Sequence, residues 1–91
     1  MTTWEEFKKE LKESSPESKQ MVEEAEAMGR ILSAIIDRRN ELGLSQRDLA
    51  KMCDIPQSTV ARLETFTVSP TIDTLLKILT PLGLTLTVTE L

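Results

Sequence analysis

Residues 39–64 read RNELGLSQRDLAKMCDIPQSTVARLE, and the signals that end and begin helices within this stretch decide the fold. Gly43 suits the left-handed residue that closes a preceding helix. Ser45 and Asp48 have the spacing of a capping box, which opens a short helix. A further helix is predicted over residues 57–64, after a turn of three or four residues. The stretch therefore predicts two short helices joined by a tight turn.

The segments on both sides of this stretch also have helical periodicity. Upstream, a helix is predicted to begin at Pro16 and to end before Gly43, with a possible interruption at Gly29. Seven positions, all apolar except Arg39, recur in steps of three and four and predict one buried face: Met21, Ala25, Met28, Leu32, Ile35, Arg39 and Leu42. Downstream, Thr71 is the expected cap of a last helix, which the turn at residues 81–83 terminates.

The period changes at the C-terminus. Leu84, Leu86 and Val88 alternate with three threonines, which is typical of a β-strand with one apolar face. One strand in a helical chain has no internal partner, so we expect these residues to form a dimer contact, either with the same strand of a second copy or with a strand of another protein.

The fold class predicted from these patterns is mainly α. It comprises a five- to six-helix repressor-like domain, an N-terminal helical extension and one C-terminal β-strand. The 91 residues have room for one compact domain and an appendage. The expected division is an acidic helical extension over residues 1–28, a helix-turn-helix domain over residues 29–83 and the strand over residues 84–91.

The charge is unevenly distributed along the chain. The net charge is −4, and residues 1–28 hold eight glutamates against four lysines, so the whole excess lies in this extension. The remaining residues are neutral overall. An acidic part joined to a neutral part predicts two different partners.

Several functional classes are disfavoured by composition. The chain has no His or Tyr, one cysteine (Cys53), no cluster of metal ligands and no glycine-rich phosphate loop. We therefore expect no enzymatic activity, no metal, no cofactor and no small-molecule ligand. The N-terminus lacks the pattern of a signal peptide, and no segment reaches the roughly 20 apolar residues of a membrane span. The expected location is the cytoplasm, without a membrane partner.

Residues 39–50, residues 55–64 and the pair Ser69-Pro70 resemble the helix-turn-helix of the phage-repressor-like (Xre) family, over about residues 30–83. The resemblance implies that the helix at residues 57–64 enters the major groove of DNA. On this basis six residues are expected to contact DNA: Gln46, Arg47, Gln57, Ser58, Thr59 and Arg62.

The chemistry of these side chains suits the roles that the resemblance implies. Gln57 can donate to and accept from an adenine edge, and Arg62 can bind guanine or a phosphate. Gln46 resembles the family's phosphate-binding glutamine at the start of a helix, where free N–H groups also attract phosphate. Arg39 and Glu64 resemble an ion pair that is structural in similar repressors. Pro56 departs from the family pattern, because many relatives have a capping Ser or Thr there.

The C-terminal part, from Ile72 to Val88, resembles the ending of HigA-type antitoxins. That resemblance implies a HigB/RelE-like toxin partner, a ribonuclease that cleaves messenger RNA, and it implies that an N-terminal extension contacts the toxin. The expected toxin-binding residues are Trp4, Phe7, Leu11 and Met21. An acidic arm complements a basic ribonuclease. The alternative is that the apolar stripe of the extension only covers this chain's own core.

Three hypotheses follow. The first is an antitoxin that neutralises its toxin and represses its own operon as a homodimer on palindromic operator DNA, with half-sites roughly 34 Å apart. The second is a stand-alone Xre-family transcriptional repressor without a toxin. The third is a protein-binding module whose helix-turn-helix has lost DNA affinity, which the neutral charge of residues 29–91 keeps open.

Overall fold

The structure is a computed structural model that describes residues 3–14 and 16–90, with the side chains at positions 11, 12 and 14 outside the description. These residues form five α-helices: α1 (Trp4–Ser14), α2 (Pro16–Glu41), α3 (Gln46–Cys53), α4 (Gln57–Glu64) and α5 (Ile72–Leu79). None of the five is both long and apolar enough to cross a lipid bilayer. The prediction of a mainly helical chain with a helix-turn-helix is confirmed.

The chain divides into two compact units, Met1–Arg30 and Ile31–Leu91, with the division inside α2. In the first unit, the Thr3 hydroxyl accepts a hydrogen bond from the backbone N–H of Glu6 at 3.2 Å and so caps α1. The Lys8 ammonium lies 3.1 Å from Glu5 and 3.6 Å from Glu26 of α2. This ion pair joins α1 to the N-terminal half of α2.

The core of the second unit is built from one side of each of its helices. Leu49 and Ile78 have no exposed surface, and α3 packs against both α4 and α5. The buried residues of this unit are Leu32, Ile35, Leu49, Ala50, Cys53, Val60, Leu63, Leu75, Ile78, Leu79 and Leu82. The core thus holds α3 and α4 in a fixed relation to each other.

The predicted single buried face of α2 is wrong. Met21 and Ala25 are exposed, whereas Val22 is buried. Because the helix is shared by two units, each unit selects which of its residues are buried, and one apolar stripe does not describe both parts. Gly29 does not interrupt the helix.

The helix ends within the second unit follow the predicted signals. Gly43 adopts a φ of 69°, and its N–H donates to Asn40 while that of Leu44 donates to Arg39, both at 3.0 Å. This is the Schellman arrangement that closes α2. Ser45 and Asp48 form both hydrogen bonds of the capping box at the start of α3. The predicted caps are confirmed.

The predicted C-terminal strand is not found: none of the described residues 84–90 forms a strand. A strand needs a neighbouring backbone to satisfy its N–H and C=O groups, and a single copy of this chain does not present one there. Leu84 and Leu86 are half-buried, whereas Val88 is 99% exposed. Two of the three apolar residues in the alternation thus turn partly inward, and Val88 does not.

Candidate nucleic-acid interface

An ion pair connects the end of α2 to the end of α4. Arg39 Nε donates to Glu64 Oε2 at 2.6 Å, and Arg39 Nη2 donates to Glu64 Oε1 at 2.7 Å. Both side chains are largely buried. The bidentate geometry uses the planar fork of the guanidinium, which a lysine does not provide.

Two further hydrogen bonds extend this pair into a network. Arg39 Nη1 donates to the carbonyl of Leu44 at 2.8 Å, and Gln46 Nε2 donates to Glu64 Oε1 at 3.0 Å. The network therefore ties the loop before α3 and the first residue of α3 to the last residue of α4. We conclude that it fixes the position of α4 relative to the start of α3.

The environment of Glu64 lowers the pKa of its carboxyl group. Burial alone would raise this pKa, but the hydrogen bonds from Arg39 and Gln46 favour the ionised form and outweigh burial. The hydrogen bond to Glu64 likewise raises the pKa of Arg39 against the effect of burial. The pair is thus held in its charged form.

One side of α4 is exposed and the other is buried in the core. Val60 and Leu63 are buried, Gln57 and Arg62 are exposed, and Ser58 is exposed beside a half-buried Thr59. Four of the six residues assigned to DNA contact thus lie on this short helix, with at least three of their side chains at the surface. This exposure is what a recognition helix requires.

The groove beside the start of α4 carries positive charge. Arg47 and Lys51, one helical turn apart on α3, line an open cavity of about 550 Å³ together with Asp54, Pro56 and Gln57, so two cations face one carboxylate there. Pro56 is the N-cap of α4 and makes no side-chain cap hydrogen bond. Two cations next to the positive end of a helix dipole suit a phosphate of nucleic acid.

The structure differs from the sequence reading at two polar residues. The Gln46 side chain, expected to bind phosphate, is already hydrogen-bonded to Glu64, which leaves its carbonyl oxygen and second N–H as the groups to consider for another contact. Arg38 Nε donates to the carbonyl of Leu82 at 2.9 Å, a contact that the sequence patterns did not predict. The sequence feature that could have indicated this hydrogen bond is the helix-ending turn predicted at residues 81–83, which contains Leu82.

The residues assigned to the toxin lie in the first unit. Trp4 and Phe7 are 55% and 47% exposed, and their ring centroids lie 6.0 Å apart in a tilted pair. Met21 is also exposed. The Leu11 side chain lies outside the described residues. The rings of Trp4 and Phe7 therefore contact each other and solvent and are not buried in the core.

Comparison with known proteins places this geometry in a family. An uncharacterised HTH-type transcriptional regulator of Haemophilus influenzae is 30% identical over 90 residues, which cover 99% of this chain and 87% of that protein. A solved structure described as a toxin-antitoxin module from Streptococcus pneumoniae is 38% identical, with a TM-score of 0.74, and the match covers 100% of this chain and 96% of that one. The profile of the helix-turn-helix family (HTH_3) matches residues 35–88, so the chain belongs to this family.

Proposed function

We propose that this protein is the antitoxin of a type II toxin–antitoxin pair. In this proposal it resembles the HigA type, neutralises an mRNA-cleaving toxin of the HigB/RelE-like class by direct binding, and represses its own operon as a homodimer on palindromic DNA. The observation that carries the proposal is the match to the toxin-antitoxin module, which extends over the whole chain, including residues 1–28.

The DNA-binding part of the proposal rests on the exposed side of α4. Gln57, Ser58 and Thr59 would face base edges, and Arg62 would reach a base or a phosphate one turn further on. Arg47 and Gln46 would contact the phosphate backbone beside them. The Arg39–Glu64 pair does not contact DNA in this arrangement but sets the position of α4.

The toxin-binding part rests on the chemistry of residues 1–28. Their net charge of −4 complements a basic ribonuclease surface, and the exposed pair of Trp4 and Phe7 supplies an aromatic anchor. Aromatic residues are enriched among the residues that dominate binding energy at protein interfaces. The alternative that the stripe merely covers this chain's core has less support, because both rings are about half exposed.

The second candidate function is a stand-alone transcriptional repressor. It is favoured by the Haemophilus influenzae relative, whose name describes only an HTH-type transcriptional regulator. The two candidates share the DNA interface and differ in whether residues 1–28 bind a toxin.

The toxin-binding part of the proposal is tested by co-expressing the protein with the product of the neighbouring gene and isolating the complex. We expect the two proteins to co-purify, and Trp4→Asp with Phe7→Asp to abolish the complex while leaving DNA binding unchanged. The control is Met52→Asp, which changes a similarly exposed apolar residue on α3 of the second unit. Wild-type protein that binds its upstream DNA but does not bind the neighbouring product would favour the stand-alone repressor.

The DNA interface is tested by fluorescence anisotropy with DNA from upstream of the gene. Gln57→Ala should weaken specific binding by about 1–3 kcal/mol, the usual value of a bidentate base contact. The matched control is Gln20→Ala, an exposed glutamine in α2 of the first unit. Equal affinity of the two variants would remove Gln57 from the interface.

A further inference from the structure

Asp54 places a negative charge in the groove beside the start of α4. Its side chain lines this groove together with those of Arg47, Lys51 and Gln57. Asp54 is exposed, and within the part of the chain that the structure describes its carboxylate takes part in no ion pair and no hydrogen bond. The groove thus contains an unpaired carboxylate next to the two cations that suit a phosphate.

The backbone of the turn holds this carboxylate in place. The Asp54 N–H donates to the Lys51 carbonyl at 3.3 Å, and the Ile55 N–H donates to the Ala50 carbonyl at 3.0 Å. These hydrogen bonds close α3 and fix the direction of the bond from Cα to Cβ of Asp54. An aspartate has only one carbon between Cα and its carboxyl group, so the charge stays close to the turn.

Neither the turn nor general attraction to DNA explains an aspartate at this position. The φ of Asp54 is 55°, which glycine adopts without steric cost. A glycine would also leave two cations and no anion among the residues that line the groove. Such a groove would attract the phosphates of any DNA sequence more strongly, because a carboxylate near a phosphate opposes binding. The aspartate is therefore unfavourable for both purposes.

The chemistry of a carboxylate limits what it can bind on DNA. An ionised carboxylate accepts hydrogen bonds and donates none, so it needs a donor. In the major groove the donors are the exocyclic amino groups of cytosine and adenine, whereas guanine and thymine present acceptors there. Gln57, assigned above to base edges, lines the same groove as Asp54 and follows it by three residues. The Asp54 carboxylate is thus placed beside the DNA surface on which these amino groups occur.

We propose that Asp54 is a specificity-determining residue of the DNA interface. Its carboxylate accepts a hydrogen bond from the exocyclic amino group of a cytosine or an adenine beside the base that Gln57 reads. It repels DNA that presents only acceptors at this place. The attraction in one sequence and the repulsion in others both widen the difference in affinity between specific and non-specific DNA.

The inference rests on the DNA-binding part of the proposed function and is tested by fluorescence anisotropy of the full-length protein with upstream DNA. In each labelled duplex, one cytosine or one adenine is replaced by an analogue without the exocyclic amino group, pyrimidinone or purine. We expect one replacement to weaken binding of wild-type protein about tenfold and binding of Asp54→Gly less than about twofold. Comparison of the two proteins cancels any effect on the duplex itself. The base at that position identifies the amino group as that of cytosine or adenine.

Binding to a scrambled duplex of equal length is the second measurement. Asp54→Gly and Asp54→Asn should each bind it about threefold more tightly than wild type at low salt, and this gain should shrink as salt is added. Both variants keep the turn, because glycine and asparagine adopt positive φ readily, and unchanged helical circular dichroism verifies this. The control is Asp73→Asn, which makes the same change in net charge at an exposed residue outside the groove and should leave both measurements unchanged.

Three results would overturn the inference, and they separate it from the proposed function. Equal weakening of wild type and Asp54→Gly by every replacement, as contacts of Gln57 alone would produce, would show that the Asp54 carboxylate contacts no base. An equal gain in affinity of Asp54→Gly for upstream and scrambled DNA would reduce the role of Asp54 to general repulsion. Either result leaves the antitoxin proposal intact. Wild-type protein that binds upstream and scrambled DNA equally would remove the DNA-binding part of the proposed function, and this inference with it.

Discussion

Glu64 is a carboxylate in which both oxygens accept hydrogen bonds, two from Arg39 and one from Gln46. It lies at the last position of α4 and is mostly removed from water. A buried charge is tolerated only while its partners are present. The stability of this carboxylate therefore depends on side chains from two other parts of the chain.

Removing Arg39 should destabilise the fold strongly. Arg39→Ala leaves Glu64 buried and without its ionic partner, and we expect the free energy of unfolding to fall by about 3–5 kcal/mol. The measurement is urea denaturation followed by circular dichroism. The control is Glu41→Ala, which removes the exposed partner of Arg38 at 3.3 Å and should change stability by less than about 1 kcal/mol. Similar losses in the two variants would show that the Arg39–Glu64 pair has no special role.

The lowered pKa of Glu64 predicts a dependence of stability on pH. A carboxyl group whose pKa is lower in the folded chain stabilises the fold above its ordinary value of 4.5, and this stability is lost as the pH falls through the folded pKa. In Glu64→Gln this contribution is absent at every pH. The difference in unfolding free energy between wild type and Glu64→Gln should therefore be constant near pH 7 and shrink below about pH 4.5. A difference that does not change down to pH 2 would contradict this prediction.

At the level of the elements, the turn between α3 and α4 contains Asp54, a non-glycine residue with positive φ. Asp54 has a φ of 55° and ends α3. Asp54→Gly should raise the free energy of unfolding by about 0.5–1 kcal/mol, because glycine adopts this conformation without a steric cost. Asp73→Gly, in the first turn of α5, is the control and should lower stability by about 1 kcal/mol. Thermal unfolding distinguishes the two, and a loss of stability in Asp54→Gly would mean that the Asp54 side chain makes a needed contact.

The same turn shows how much of the fold the sequence predicts. The Ser45–Asp48 box and the bounds of α4 depend on neighbouring residues, so local rules predict them correctly. The C-terminal strand was not predicted correctly, since forming a strand depends on a distant partner. The predicted burial of Met21 is also wrong, because burial depends on which unit packs against each part of α2.

The candidate site shows the same limit. Sequence patterns indicated Gln57 and Arg62 on an exposed helix, and a family resemblance paired Arg39 with Glu64. The bond between Gln46 and Glu64 and the bond from Arg38 to Leu82 join residues 18 and 44 positions apart. Residue types do not specify such contacts until the helices are packed.

At the level of the whole molecule, charge and apolar surface are distributed differently over the two units. Residues 1–28 carry the net charge of −4, whereas the rest is neutral and places Arg47 and Lys51 beside the start of α4. In the proposed function, the acidic part binds a basic toxin and the cationic groove binds DNA. The two binding events should therefore respond to different charge substitutions.

This separation predicts different effects of two charge-matched double variants. Glu6→Lys with Glu10→Lys changes two exposed residues of α1 and should slow association with the toxin by about tenfold at low salt, because complementary charge accelerates encounter. Asp37→Lys with Glu90→Lys makes the same change in net charge within residues 31–91. It should leave toxin association nearly unchanged and strengthen non-specific DNA binding.

Stopped-flow fluorescence of Trp4 measures the association rate at several salt concentrations. The effect of the α1 variant should disappear near 1 M salt, where the Debye length falls to about 3 Å. If both variants slow association equally, the overall charge of the protein, and not the position of its acidic residues, determines the rate. A rate difference that is independent of salt would instead mean that Glu6 or Glu10 makes a direct contact that long-range attraction does not explain.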